Sequence, residues 1–146
     1  MSAIDYYGIK RAMRDIFAED AATNNLVVRI EDELLLDALG VTLNIELASR
    51  DAVRNPLTMG QRMAYRAHYV ITVIARTLER EVAEKQRDET IANVEWVLMK
   101  NRTLRDNVDA LWLEGGEALF LKDERSGMYT AAADLKVITE VQITTI

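Results

Sequence analysis

From Tyr6 the chain places an apolar side chain every three or four positions: Tyr6, Ile9, Met13, Ile16 and Phe17. Lys10, Arg11, Arg14 and Asp15 fall elsewhere on the wheel, so the spacing predicts an amphipathic helix. Ser2 followed by Asp5 has the form of a capping box, with an acid near the positive end of the helix dipole. Gly8 weakens this helix slightly, and the turn residues of "DAATNN" end it. At Leu26 the period changes, and "LVVRIED" reads as a short strand. "ELLLDALG" has the form of a helical turn closed by Gly40. Val41, Leu43, Ile45 and Leu47 then alternate with Thr42, Asn44, Glu46 and Ala48, the period of a half-buried strand. From Ser49 to Arg62 no period is sustained and Pro56 and Gly60 intervene, which predicts a long loop.

"MAYRAHYVITVIART" returns to strand character. Tyr65, Tyr69, Ile71 and Val73 share one face, with Arg66, His68, Val70, Thr72 and Ile74 opposite. The second face turns apolar towards its end, where cover on both sides is expected. Ile91, Val94 and Leu98 then form a helical stripe together with Ala83 and Arg87. Leu78 and Val82 point nearly the other way, so the helix is expected to begin between Ala83 and Arg87 and to end near Lys100. "VDALWL" and "EALFLKD" flank Gly115-Gly116, a hairpin signal; "ERSG" is a second turn. In the last stretch Leu135, Val137, Thr139, Val141 and Ile143 alternate with Lys136, Ile138, Glu140, Gln142 and Thr144, predicting a long strand whose edge would be an aggregation hazard if left open. The whole, residues 1–146, reads as a single α+β domain: a mainly antiparallel sheet with two main helices packed on one face.

Composition narrows the chemistry. The 146 residues suffice for one core, with 49% hydrophobic and 29% charged residues, as in an ordinary globular chain. Without cysteine there is no disulfide, thiolate metal site or thiol nucleophile. A net charge of −6 argues against gripping nucleic acid by bulk electrostatics. The first residues lack the apolar run of a signal peptide, and no stretch is long and apolar enough to span a bilayer.

Candidate chemistry is sparse. His68 stands alone in an alternating strand and reads as a structural or surface residue. The acids Glu31, Asp32 and Glu33, with Glu114 and Glu117, sit beside predicted turns that can project. No EF-hand spacing or phosphate loop is present. The aromatics Tyr65, Tyr69, Trp96 and Trp112 lack the clustered bases of a nucleic-acid platform and read as core or interface anchors. No catalytic, metal-binding or cofactor-binding residue is singled out, and no cofactor is expected.

One resemblance covers most of the chain. Its signs are the N-terminal helix, the strand pair, "AHYVITVIAR", a helix ending in Asn101, Thr103 and Leu104 followed by Val108, then a hairpin and "SGMYTAAADLKVITEV". Together these resemble the tail terminator (tail-completion) proteins of long-tailed bacteriophages and their relatives among minor tail and neck proteins. One departure is visible: the pattern expects glycine after the Thr-Leu pair, where this chain has Arg105-Asp106. The resemblance implies a non-enzymatic virion protein, assembled in the host cytoplasm, whose six-fold ring caps the tail tube and offers a docking surface for the head. Its partners would be further copies of itself, the tail tube protein and a head-neck connector protein, with no membrane involved. DNA would pass through the lumen without specific binding. Glu31, Asp32, Glu33, Glu114 and Glu117 are the candidate channel-facing acids, and Asn55, Pro56, Leu57, Thr58, Met59 and Gly60 the candidate docking loop. Two alternatives stay open: another head-tail connector or tail-tube component, and a small α+β enzyme or ligand-binding module.

Overall fold

The computed structural model describes residues 3–30, 39–54, 61–123 and 125–145. Along them run α1 (Tyr6–Glu19), β1 (Val27–Arg29), β2 (Gly40–Arg54), β3 (Gln61–Thr77), α2 (Arg80–Lys100), β4 (Ala110–Glu114), β5 (Ala118–Lys122) and β6 (Tyr129–Thr145). Six strands make one sheet in the order β1-β2-β3-β6-β4, with β5 also on β6. Only β1 with β2 is parallel. This is the expected α+β class.

The α1 stripe buries Ile9, Met13, Ile16 and Phe17. They join Leu43 and Ile45 of β2, Tyr69, Ile71 and Val73 of β3, Val94, Val97 and Leu98 of α2, and Leu135 and Val137 of β6 in one cluster. Both helices therefore lie on the same face. Each fully buried side chain of this kind contributes roughly 1.5–3 kcal/mol over its exposed state. The Tyr69 hydroxyl donates to the Tyr6 carbonyl at 2.9 Å, pinning α1 to β3. Burial pushes that phenol well above the ordinary tyrosine range, so it remains a neutral donor. Asp5 is itself the α1 N-cap, accepting the Gly8 N–H at 2.8 Å. A short acid serves better as an N-cap than as the third member of a box begun at Ser2, which lies outside the described residues.

Four expectations need correction. First, the stretch from Ser49 to Arg62 is not a long loop: β2 runs to Arg54 and β3 begins at Gln61, while residues 55–60 lie outside the described residues. The period is hidden by a bulge, since Leu47 pairs with Tyr69 but Ser49 with His68. One extra residue switches the parity of the inward face. Val41, Leu43, Ile45 and Leu47 face inward before it, and Arg50, opposite Ala67, after it.

Second, α2 starts at Arg80. Leu78 and Val82 are 64% and 36% exposed, so they never had to share the buried stripe of Ala83, Val94, Val97 and Leu98. Third, β4 and β5 are not a hairpin. Both pair with β6, one after the other along the same edge. Fourth, β6 is no open edge from Tyr129 to Glu140, because β3 covers one side and β4 with β5 the other. The long alternation of β6 is that of an interior strand.

Candidate functional site

Among the described residues, the α2–β4 connection is the most conformationally demanding. Leu104, Arg105 and Asp106 have φ of 48°, 57° and 66°. Left-handed backbone costs a non-glycine residue on the order of 1–2 kcal/mol, so three in succession need compensation. Leu104 is fully buried, and its carbonyl accepts the Asn107 backbone N–H at 3.2 Å and side-chain amide at 2.6 Å. The Asn101 amide donates to the Val97 carbonyl at 2.8 Å and closes the last turn of α2.

Two ion pairs tie this turn to the end of α1. Arg105 bonds the Glu19 carboxylate, and Lys100 reaches Asp20 at 2.6 Å. These hydrogen bonds hold both carboxyls below their ordinary range, the Ala22 N–H helping at Asp20. The first residue after the Thr-Leu pair, where the tail-terminator pattern has glycine, is thus Arg105, in the backbone region that glycine occupies without strain.

The Gly115-Gly116 pair builds a different feature. From Glu114 to Ala118 are four steps, against three from Lys136 to Ala133 on β6, so one extra residue bulges from this edge. A Cβ on Gly116 would stand 1.8 Å from the Asp134 carbonyl oxygen, whereas one on Gly115 meets nothing within 4 Å. Gly116 is required by close backbone approach, not by a turn. The Asp134 N–H donates to the Glu117 carbonyl at 2.9 Å across the bulge. Glu114 and Glu117 flank it, both exposed. The other candidate acids, Glu31, Asp32 and Glu33, lie outside the described residues, as does the candidate docking loop of Asn55, Pro56, Leu57, Thr58, Met59 and Gly60.

No family model and no curated protein sequence matches this chain. Among solved structures it is similar to a chain of the virion of a native gene transfer agent (GTA) particle, at 14% identity and a TM-score of 0.38. The match covers 90% of this chain and 93% of that one. So loose a likeness carries no argument about function.

Titratable groups are scattered. His68 lies 3.6 Å from Asp51 at the surface, and among the described residues no three acids or histidines converge on a metal position. Among the same residues no helix is long and apolar enough to cross a membrane. Of the tryptophans, Trp96 is 61% exposed on α2, and Trp112 lies half-buried under the Arg66 guanidinium.

The sequence reading missed the outer sheet face, the one away from both helices. Along its first half β6 presents the small or short side chains of Thr130, Ala132 and Asp134 there, with Thr72, Ile74 and Arg76 of β3 on one side and Leu119 and Leu121 of β5 on the other. Small residues between taller walls leave a trough of about 740 Å³. Arg76 lines it at 8% exposure, and its Nε has no hydrogen-bond partner. Leu119 and Leu121 are 54% and 55% exposed. The signal was the apolar turn of the second face of β3 towards Ile74, where cover on both sides was expected and Ile74 is 5% exposed.

Proposed function

We propose that this chain is a structural protein of a phage-like tail, forming a ring that caps the tail tube and offers the surface on which a head-neck connector docks. The left-handed turn from Leu104 to Asp106 carries this reading. It supports the resemblance at the one place where the sequence departs from the tail-terminator pattern, because the backbone there takes the conformation that a glycine would favour. The sheet supplies a route to assembly. Among the described residues β1 pairs only with Thr42 to Asn44 of β2, leaving β2 beyond Asn44 as an open edge. The β4–β5 edge lies on the opposite side of the sheet. Two different edges suit head-to-tail contacts, which close into a ring when the rotation allows.

In a six-fold ring the formal charge would be 6 × (−6) = −36. Screening over about 8 Å limits the charges that passing DNA feels to those near the channel wall. Glu31, Asp32 and Glu33, with Glu114 and Glu117, are the proposed wall residues, and an acidic wall lets DNA slide instead of sticking. Residues 55–60 are the proposed docking loop.

Native mass spectrometry of the purified chain, alone and with tail tubes, tests the ring. A closed oligomer, free or on the tube end, is expected, and a strict monomer that ignores tubes would overturn it. Replacing Glu31, Asp32 and Glu33 by lysine should leave rings intact and slow genome ejection, more so at low salt. Ejection unchanged at both low and high salt would remove the triplet from the channel.

A further inference from the structure

Along β6 the outer face is self-complementary about Leu135. In one direction come Asp134, then the Ala132 hollow between Ile74 and Leu119, then Arg76 opposite Thr130. In the other come Lys136, then Ile138 beside Trp112, then Glu140. The first series is acid, hollow, cation; the second is cation, apolar bulk, acid.

We propose that a second copy of this chain stacks its outer sheet face on this one, about a two-fold axis that crosses β6 at Leu135 at right angles to the strand. Reversing the strand sets Lys136 of each copy over the partner's Asp134. Trp112, opposite the buried Ile138 on the neighbouring strand, meets the partner's Leu119 beside the hollow, and Glu140, held at 3.1 Å by Arg66, lies diagonally from the partner's Arg76. Packed sheets stand about 10 Å apart with their side chains interdigitated, and the trough gives the indole room. An axis along the strand would instead set Asp134 on Asp134 and Lys136 on Lys136, a like-charge arrangement.

Two features of the single chain call for such a cover. Arg76 is nine-tenths buried with Nε unpartnered, a state that a neighbouring carboxylate relieves. Leu119 and Leu121 stand exposed beside the trough, and contiguous apolar surface of this kind marks interaction sites. A hydrocarbon ligand would fill the hollow but leave the Arg76 Nε without an acceptor. The cost is Glu114 over the partner's Glu117, both exposed at a rim where water screens them, and Arg66 over the partner's Arg76, offset by the Glu140 carboxylate that each Arg66 carries. This contact uses the sheet face and the proposed ring uses the sheet edges, so neither depends on the other.

Sedimentation velocity of the full chain over a concentration series tests the pairing. A concentration-dependent dimer is expected, weakened about tenfold or more by Lys136→Asp, which turns two attractive contacts into two repulsive ones. The charge swap Asp134→Lys with Lys136→Asp should restore it. Because Asp134 accepts the Thr72 hydroxyl at 3.1 Å, circular dichroism checks that the swap still folds. Ala132→Leu, which fills the hollow without changing charge, should abolish the dimer independently. A chain that stays monomeric throughout, or a dimer indifferent to both Lys136→Asp and Ala132→Leu, overturns the proposal. Rings that persist in Lys136→Asp leave the ring reading standing; loss of rings in the wild-type chain defeats that reading alone.

Discussion

At Asp106 an exposed acid holds φ at 66°, and among the described residues its backbone makes no hydrogen bond. Glycine takes that conformation without a Cβ penalty, so Asp106→Gly should stabilise the fold by about 0.5–1 kcal/mol, and Asp106→Val should destabilise it by about 1 kcal/mol or more. Equilibrium urea unfolding of the pair decides the matter; equal midpoints would mean that the turn carries no strain there. The same turn sets an acid limb. Glu19 and Asp20 have lowered folded pKa values through Arg105 and Lys100. Their contribution is therefore complete above the unfolded carboxyl pKa, near 4, and is lost as pH falls through the lower folded values. Thermal midpoints should hold down to about pH 4.5 and fall below it, with Glu19→Gln plus Asp20→Asn flattening the fall. An unchanged acid limb in that double variant would show that the two ion pairs are loose in solution. Neither pair was legible in the sequence, because Arg105 and Glu19 lie far apart in the chain and neither belongs to a periodic pattern.

Elements were legible wherever one period ran uninterrupted, as in α1, β3 and β6. They were misread wherever a single residue reset the phase. Ala48 did so in β2, and the glycines did so between β4 and β5, where a bulged edge looks locally like a hairpin turn. Gly116→Ala tests the bulge. Its Cβ would collide with backbone at Asp134, forcing the edge from β6 at a cost of about 3 kcal/mol or more. Gly115→Ala meets open space and should stay within about 0.5 kcal/mol of the parent. Chemical denaturation of both variants gives the comparison. A hairpin in solution would instead make the two substitutions similarly costly.

For the whole molecule, the α+β class and the single helical face followed from the order of periods alone. The candidate site was far less legible. An edge or a trough is made by strands distant in sequence, and its openness depends on what the rest of the chain leaves uncovered. The arms of β2 and β3 allow one assembly test. Arg54 pairs with Met63, so deleting residues 55–60 leaves Gln61 and Arg62 as a two-residue connection, a length that hairpins accept. The deletion should keep the fold by circular dichroism and impair joining to tails or heads. Infectious particles produced at normal yield would remove the docking role. The most direct measurement is electron microscopy of purified chain mixed with tail tubes that lack their natural cap. A ring seated at one end of each tube and competent to join heads is expected. Tubes left bare, or the protein bound along their length instead of at the end, would contradict it.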